Sequence, residues 1–255
     1  MSYATDITDS QWEIIAEISD VGRKRQSSLQ VIVNAIFYIT KTGIQWRNLP
    51  NDFPKWQLVY YYFRKWSKIG LISQIHQILH EKARIKENRE ISPSLGLLDS
   101  QSVKSASLTV GKGLDANKKI NGRKRFIVTD TMGWIMGLMV VGASVQEREG
   151  AEKLFALMSE KYPRLKKVLA DQGYDDEEFT TRIGKTFGFV LEIVKRVLGI
   201  SGFQVLPKRW VVERTFGWLM FHRRLVKDYE EKTEHSESFI QMAMIRLMLR
   251  KLSPN

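Results

Sequence analysis

The hydrophobic period of this chain changes once, at the polar linker KENREISPS from Lys86 to Ser94. Before it, apolar residues recur at i, i+3 and i+4. After it, short apolar runs end at Asp or Gly and alternate with helical stretches. That change restricts the chain to an all-α N-terminal region followed by an α/β region. A boundary near Arg89 gives domains of residues 1–89 and 90–255.

In the first region Thr8 to Gln11 forms a capping box, and Trp12, Ile15, Ala16 and Ile18 predict a helix from Asp9 to Ser19, ended by the basic turn Gly22–Arg25. A second, mostly buried helix runs from Ser28 to Thr42 and stops at Gly43. From Lys55 to Lys68 the residues Trp56, Val59, Tyr60 and Phe63 can pack while Lys55, Arg64, Lys65 and Lys68 stay exposed, so this helix can lie on DNA. A fourth helix is predicted over Gly70–Arg84. Its His76 and His80 lack the glutamate of a zinc-protease helix and read as polar-face residues. One basic aromatic helix among four fits a helix-turn-helix-like DNA-binding unit, and a plain bundle equally.

Beyond the linker, strands are predicted at Leu95–Leu98, Arg125–Thr129, Trp134–Val141, Lys167–Ala170, Phe189–Val194 and Phe203–Leu206. The second and third form a hairpin around Asp130–Gly133. Helices are predicted over Glu149–Lys161, Asp175–Gly184, Leu206–Glu230 and Ser236–Leu252. Three antiparallel strands followed by alternating helices and strands predict an α/β fold, an RNase H-like mixed sheet flanked by helices.

The chain has no cysteine among its 255 residues, which removes thiolate catalysis and cysteine-based zinc sites and leaves oxygen and imidazole ligands. Asp99 and Asp171 each close an apolar run, where ligands gather in open α/β sheets. On the helix over Leu206–Glu230, Arg209, Glu213, Gly217, Met220, Arg224 and Lys227 fall within roughly 40° of one line, so Glu213 stands in a cationic stripe. With Asp99 and Asp171 it completes a three-carboxylate set of the kind that holds Mg²⁺, with Mn²⁺ as a substitute. Two such ions clamp the attacking and leaving oxygens of a phosphodiester. Each acid also has a structural explanation, as turn former, N-cap or salt-bridge partner. Asp130 is read as structural, beside its glycine turn.

Forty Lys and Arg against twenty-eight Asp and Glu give a net charge of +12, which favours nucleic acid or an acidic membrane surface as partner. Five cations crowd eight residues: Lys118, Lys119, Arg123, Lys124 and Arg125. They are expected to form a loop that tracks phosphates, helped by Lys104. Trp46 and Trp210 are packing anchors or platforms for an unpaired base. The glycines from Gly111 onward make neither a dinucleotide fingerprint nor a phosphate loop, so no nucleotide cofactor is expected. No membrane span or secretory signal is expected either.

LLDSQSVK around Asp99, INGRKRFIVTDTMG up to Gly133, LADQGYD around Asp171 and RWVVERTFGWLMFHRRLVKDYE around Glu213 together resemble bacterial insertion-sequence transposases of the DDE superfamily, and more closely the insertion-sequence-five-like group. TDSQWEII, GIQWRNLP and WQLVYYYFRKW resemble the helical region that precedes their catalytic domain. The resemblance implies that Asp99, Asp171 and Glu213 are the metal-binding catalytic triad. It also implies cleavage at terminal inverted repeats of double-stranded DNA and strand transfer into target DNA. A homodimer in the synaptic complex and a place in the bacterial cytoplasm, on the nucleoid, follow from it. The related signature Tyr-x2-Arg-x3-Glu-x6-Lys is incomplete: Arg209 and Glu213 match, but Leu206 and Met220 replace the Tyr and Lys. Arg224 and Lys227, on the same helical line, are expected to supply the missing cation at a phosphate. The alternatives are a catalytically silent DNA-binding relative and an RNase H-like endonuclease without joining activity.

Overall fold

A computed structural model describes residues 3–16, 18, 27–195 and 208–253. Two compact units form, one from Met1–Arg89 with Leu219–Asn255 and the other from Glu90–Trp218.

In the first unit, helices α1 (Asp9–Ala16), α2 (Leu29–Thr42), α3 (Trp56–Lys68) and α4 (Leu71–Lys86) follow the predicted spacing. The capping box closes reciprocally: the Thr8 N–H donates to Gln11 Oε1 at 3.2 Å, and the Gln11 N–H donates to Thr8 Oγ1 at 3.2 Å. Ser28 caps α2, accepting from the Val31 N–H. The predicted end of the first helix at Ser19 and the basic turn Gly22–Arg25 lie outside the described residues.

The last helix, α9 (Thr233–Leu252), packs along α4 and also meets α1, α2 and α3. It buries Phe239, Ile240, Ala243, Met244, Met248 and Leu249. The linear division into 1–89 and 90–255 therefore does not describe the packing after Trp218. Four short helices leave inner faces that only a fifth apolar helix covers, and the far end of the chain supplies it. His76 and His80 are also buried, at 5% and 0% exposure, rather than on a polar face.

The second unit holds strands β1 (Leu95–Lys104), β2 (Gly113–Asp115), β3 (Ile120–Thr129), β4 (Ile135–Gly142), β5 (Lys167–Ala170) and β6 (Val190–Ile193). The sheet runs β2-β3-β1-β5-β6, and β4 pairs with β3 along the edge that β2 leaves open. β1 is antiparallel to β3 and parallel to β5, and β5 is parallel to β6. This is the expected RNase H-like mixed sheet flanked by helices. β2 was not foreseen, because three residues carry no measurable period, and the predicted strand at Phe203–Leu206 lies outside the described residues.

Helices α5 (Glu147–Met158) and α6 (Glu177–Phe187) cover one face of this sheet. Leu98, Phe126, Val128, Val168, Ala170 and Leu191 meet Leu154, Phe155, Met158, Phe179 and Ile183 there. The approach of α5 depends on Gly150, where an added Cβ would stand 2.2 Å from Phe126 Cζ. Phe126 is fully buried and has nowhere to retreat. Gly150→Ala gains about 1 kcal/mol of helix propensity and loses about 1–3 kcal/mol to overpacking, so net destabilisation is expected in urea denaturation. In a Phe126→Leu background the same substitution should become neutral or stabilising.

Candidate active site

Parallel pairing of β1 with β5 lasts three residues and ends at Leu97 opposite Leu169. Asp99 and Asp171 each lie two residues beyond that last pair. Side chains alternate with a period of two, so both aspartates emerge on the face opposite α5 and α6, side by side. The sequence suggests that Asp99 ends its strand. It lies instead mid-way along β1, which continues on β3 to Lys104; what ends before Asp99 is the parallel partner. Asp171 follows β5 directly and accepts the Gly173 N–H at 2.9 Å.

The helix α7 (Trp210–Met220) is held at this face through the β3–β4 turn. Asp130, fully buried, accepts the N–H groups of Met132 at 2.9 Å and Trp134 at 3.0 Å and so folds that turn, as its structural reading predicts. The Gly133 carbonyl then accepts Thr215 Oγ1 at 2.8 Å, and the Met132 carbonyl accepts an Arg214 N–H at 2.9 Å. Gly133 has φ 91°, and a Cβ there would stand 2.9 Å from Thr215 Oγ1. Only glycine permits both the turn and the close contact. Arg214 lies between the rings of Trp210 and Trp218, at 4.6 and 4.5 Å. Burial lowers its proton affinity and Asp130 opposes that. The sequence reasoning missed this residue, although the W-x3-R-x3-W spacing places all three on one helical line.

Anchored in this way, α7 turns Val211, Val212, Thr215 and Phe216 inward and Glu213 and Gly217 outward. Arg209, just before the helix, is buried and reaches both aspartates: its guanidinium nitrogens lie 3.3 Å from Asp99 Oδ2 and 3.4 Å from Asp171 Oδ2. Burial pushes the Asp99 carboxyl above the ordinary aspartate range. Arg209, the Ser100 N–H and Lys118 pull it back down, and the charge of Glu213 adds to the rise. Arg209 thus stands between the two aspartates, and Glu213 is near enough for its charge to act on Asp99. Among the described residues, no three His, Asp or Glu side chains stand close enough together to hold a metal ion.

A family model described as a transposase DDE domain matches residues 90–249, and one described as a putative transposase of the IS4/5 family matches residues 7–76. The chain belongs to the DDE transposases of insertion sequences. A putative transposase for insertion sequence element IS402 from Burkholderia cepacia is 30% identical over 128 residues. That match covers 48% of this chain and 60% of the relative, so the chain spans less than two thirds of the length of that protein.

The structure sorts the predicted cations of this transposase-family chain. Lys104, Lys118 and Lys119 are exposed, and Lys118 is near enough to act on the Asp99 carboxyl. Arg123, Lys124 and Arg125 are not in a loop: β3 has begun by Ile120, and their exposures are 0%, 3% and 1%. Lys124 pairs with Glu147 at 3.0 Å and lies 3.7 Å from Asp115, while Arg123 donates to the Val110 carbonyl and Arg125 to Gln101. Charge density alone does not distinguish a solvated loop from a strand whose cations are satisfied internally. Lys55, Arg64 and Lys65 are exposed on or beside α3, as expected.

The cationic stripe is also broken. The helix stops at Met220, His222 takes φ −101° and ψ 106°, and a short helix α8 (Arg223–Val226) follows. Arg224 therefore leaves the line of Glu213. It is buried, pairs with Glu230 at 2.5 Å and donates to the Ile44 carbonyl at 3.3 Å, so it is not a phosphate contact. Lys227 is half-buried, 5.6 Å from the Tyr229 ring centroid. Trp46 packs among Tyr60, Phe63 and Phe239, whereas Trp210 is 46% exposed.

Two outcomes follow. Arg224→Ala leaves the Glu230 carboxylate buried without its guanidinium and should cost about 3–5 kcal/mol, read as a shifted denaturant midpoint. Arg224→Ala with Glu230→Ala should recover part of that loss. For Asp99 the folded-state pKa lies above the unfolded one, so its ionisation weakens the fold as pH rises through the folded value. The penalty is absent below the unfolded value of about 3.9. Asp99→Asn should therefore melt at a higher temperature than the parent at pH 7, and the two curves should converge as pH falls toward about 4. A lower midpoint for the variant at pH 7 would contradict the assigned direction.

Proposed function

We propose that this chain is a DNA transposase that cuts at the terminal inverted repeats of its insertion sequence and joins the freed 3′-hydroxyl ends to target DNA. The reading rests on one observation: Asp99 and Asp171, two residues past the last β1–β5 pair, share a cation carried beside the helix that bears Glu213. Membership of the DDE transposases supports it, and that family generally uses divalent metal ions.

The donor chemistry suits such an ion. The three candidate ligands are carboxylates, the hard oxygen set that Mg²⁺ takes, and the interval between the aspartates already holds a positive charge in Arg209. Asp99, Asp171 and Glu213, which do not stand close enough together in this structure, would draw together to hold Mg²⁺, or Mn²⁺ in its place, as two ions. When bound, the metal activates the attacking oxygen and stabilises the departing one. Arg209 would pass from the aspartates to a DNA phosphate as the carboxylates take up the metal. Lys118, Lys119 and Lys104 would hold flanking phosphates, and the helical unit would bind the inverted repeats through Lys55, Arg64 and Lys65. Water attacks the first phosphodiester and releases a 3′-hydroxyl, which then attacks a phosphodiester of the target. Synapsis of two ends calls for a homodimer on double-stranded DNA.

No helix among the described residues is long and apolar enough to cross a membrane. Incubating the purified chain with Mg²⁺ and duplex DNA bearing its own element's ends tests the proposal. Joined products are expected. Asp99→Asn, Asp171→Asn and Glu213→Gln should each lower the rate at least about 100-fold, close to 2.7 kcal/mol of barrier. Cut but unjoined ends would indicate an RNase H-like endonuclease, and binding without cutting a silent relative. Full activity in all three variants would remove the metal-site assignment.

A further inference from the structure

The first unit carries a charged groove of ≈ 700 Å³ that the sequence did not delimit, because its walls come from opposite ends of the chain. One wall is the outer face of α3. Gln57, Tyr61, Arg64 and Lys68 follow one another at spacings of three or four along one helical line, with Lys65 beside them four residues on from Tyr61, all exposed, while Val59, Phe63 and Trp66 are buried behind them. The other wall is the start of α9, with Lys232. Several contacts fix these walls to each other. Phe63 stacks on Phe239 with centroids 4.5 Å apart, Ser67 Oγ lies 2.7 Å from Ser238 Oγ, and it also donates to the Glu234 carbonyl at 3.4 Å.

Four cations line the groove against one acid, Glu234. That acid is 53% exposed and stands 3.8 Å from Lys232, a loose solvent-screened pair that leaves the lysine available. His235 closes the floor. Burial lowers its proton affinity, Glu234 raises it, and Lys232 and Arg64 lower it further, so cations from both walls act on one point. Between the cations stand a half-exposed tyrosine ring and an amide, groups that meet sugars and base edges.

We propose that this groove binds the sugar-phosphate backbone of duplex DNA, with Lys68 of α3 and Lys232 of α9 as phosphate contacts. The C-terminal segment is then part of the DNA-binding surface. The occupant is a polyanion because three net positive charges line the groove, and a duplex because an exposed helix with aligned amide, ring and guanidinium groups suits its major groove. The inference rests on the reading of the chain as a DNA-acting protein and extends its DNA-binding surface from Arg64 and Lys65 to Lys68 and Lys232.

The test uses the full chain and a mixed-sequence duplex of about 30 base pairs, with binding followed by fluorescence anisotropy across a salt series. Each phosphate contact removed should reduce the slope of log K against log salt by about 0.9. Lys68→Ala and Lys232→Ala should each do so, and the double variant should lose about twice that. Glu234→Gln should tighten binding at fixed salt. Lys82→Ala, an exposed lysine that does not line the groove, serves as the equal-charge control and should change the slope less than either. Unchanged slopes for both groove variants would overturn the proposal. So would losses confined to phosphatidylserine vesicles while duplex binding persists. The two readings fail separately. If Asp99→Asn abolishes cleavage but the groove variants bind as the parent does, the groove is misassigned. If the groove variants lose DNA as described while the parent never cuts, the catalytic reading fails and the groove stands.

Discussion

β1 is hydrogen-bonded along both edges, but unequally. Its antiparallel partner β3 follows it to the end, whereas its parallel partner β5 leaves after Leu97. That unequal pairing opens the space beside Asp99 and, through the period of two, places Asp171 next to it on the same face. Everything at the site is arranged about this opening. α5 and α6 cover the opposite face, and the third acid arrives on a helix from much later in the chain.

The position of α7 depends on a chain of small, specific contacts beside the buried apolar face of Val211, Val212 and Phe216. Asp130 folds a turn, the turn offers two carbonyls, and Thr215 and Arg214 donate to them. Because Gly133 carries no side chain, the helix approaches closely enough for these bonds to form. Glu213 is left outward, one turn beyond the Arg209 that faces the two aspartates. A buried arginine between two carboxylates, one of them made harder to ionise by burial, balances their charge.

Charge was read least well from the sequence, for one physical reason. A basic run such as Lys118–Arg125 contains the same residues whether it lies in water or enters a sheet. β3 takes Arg123, Lys124 and Arg125 inward, where Glu147, Asp115, Gln101 and a carbonyl meet them, and leaves Lys118 and Lys119 outside. The same applies to Arg224. Extending the helical line past Met220 put it beside Glu213, but the break at His222 turns it into a buried pair with Glu230. Partners distant in sequence decided both cases.

The sequence alone was enough for the capping box of α1, the extent of α2 and α3, the hairpin around Asp130 and the alternation that makes a mixed sheet, because each depends on local period or local hydrogen bonds. It offered Asp99, Asp171 and Glu213 as candidates, each with a structural explanation beside it, and only the resemblance to DDE transposases assigned them as a triad. Three things needed tertiary structure. The first is that α9 belongs with the N-terminal helices, since a helix's apolar face does not specify which surface covers it. The second is that β5 ends beside Leu97, which sets the opening at Asp99. The third is which cations remain in water, because burial of a charge depends on partners that only the folded chain brings within reach.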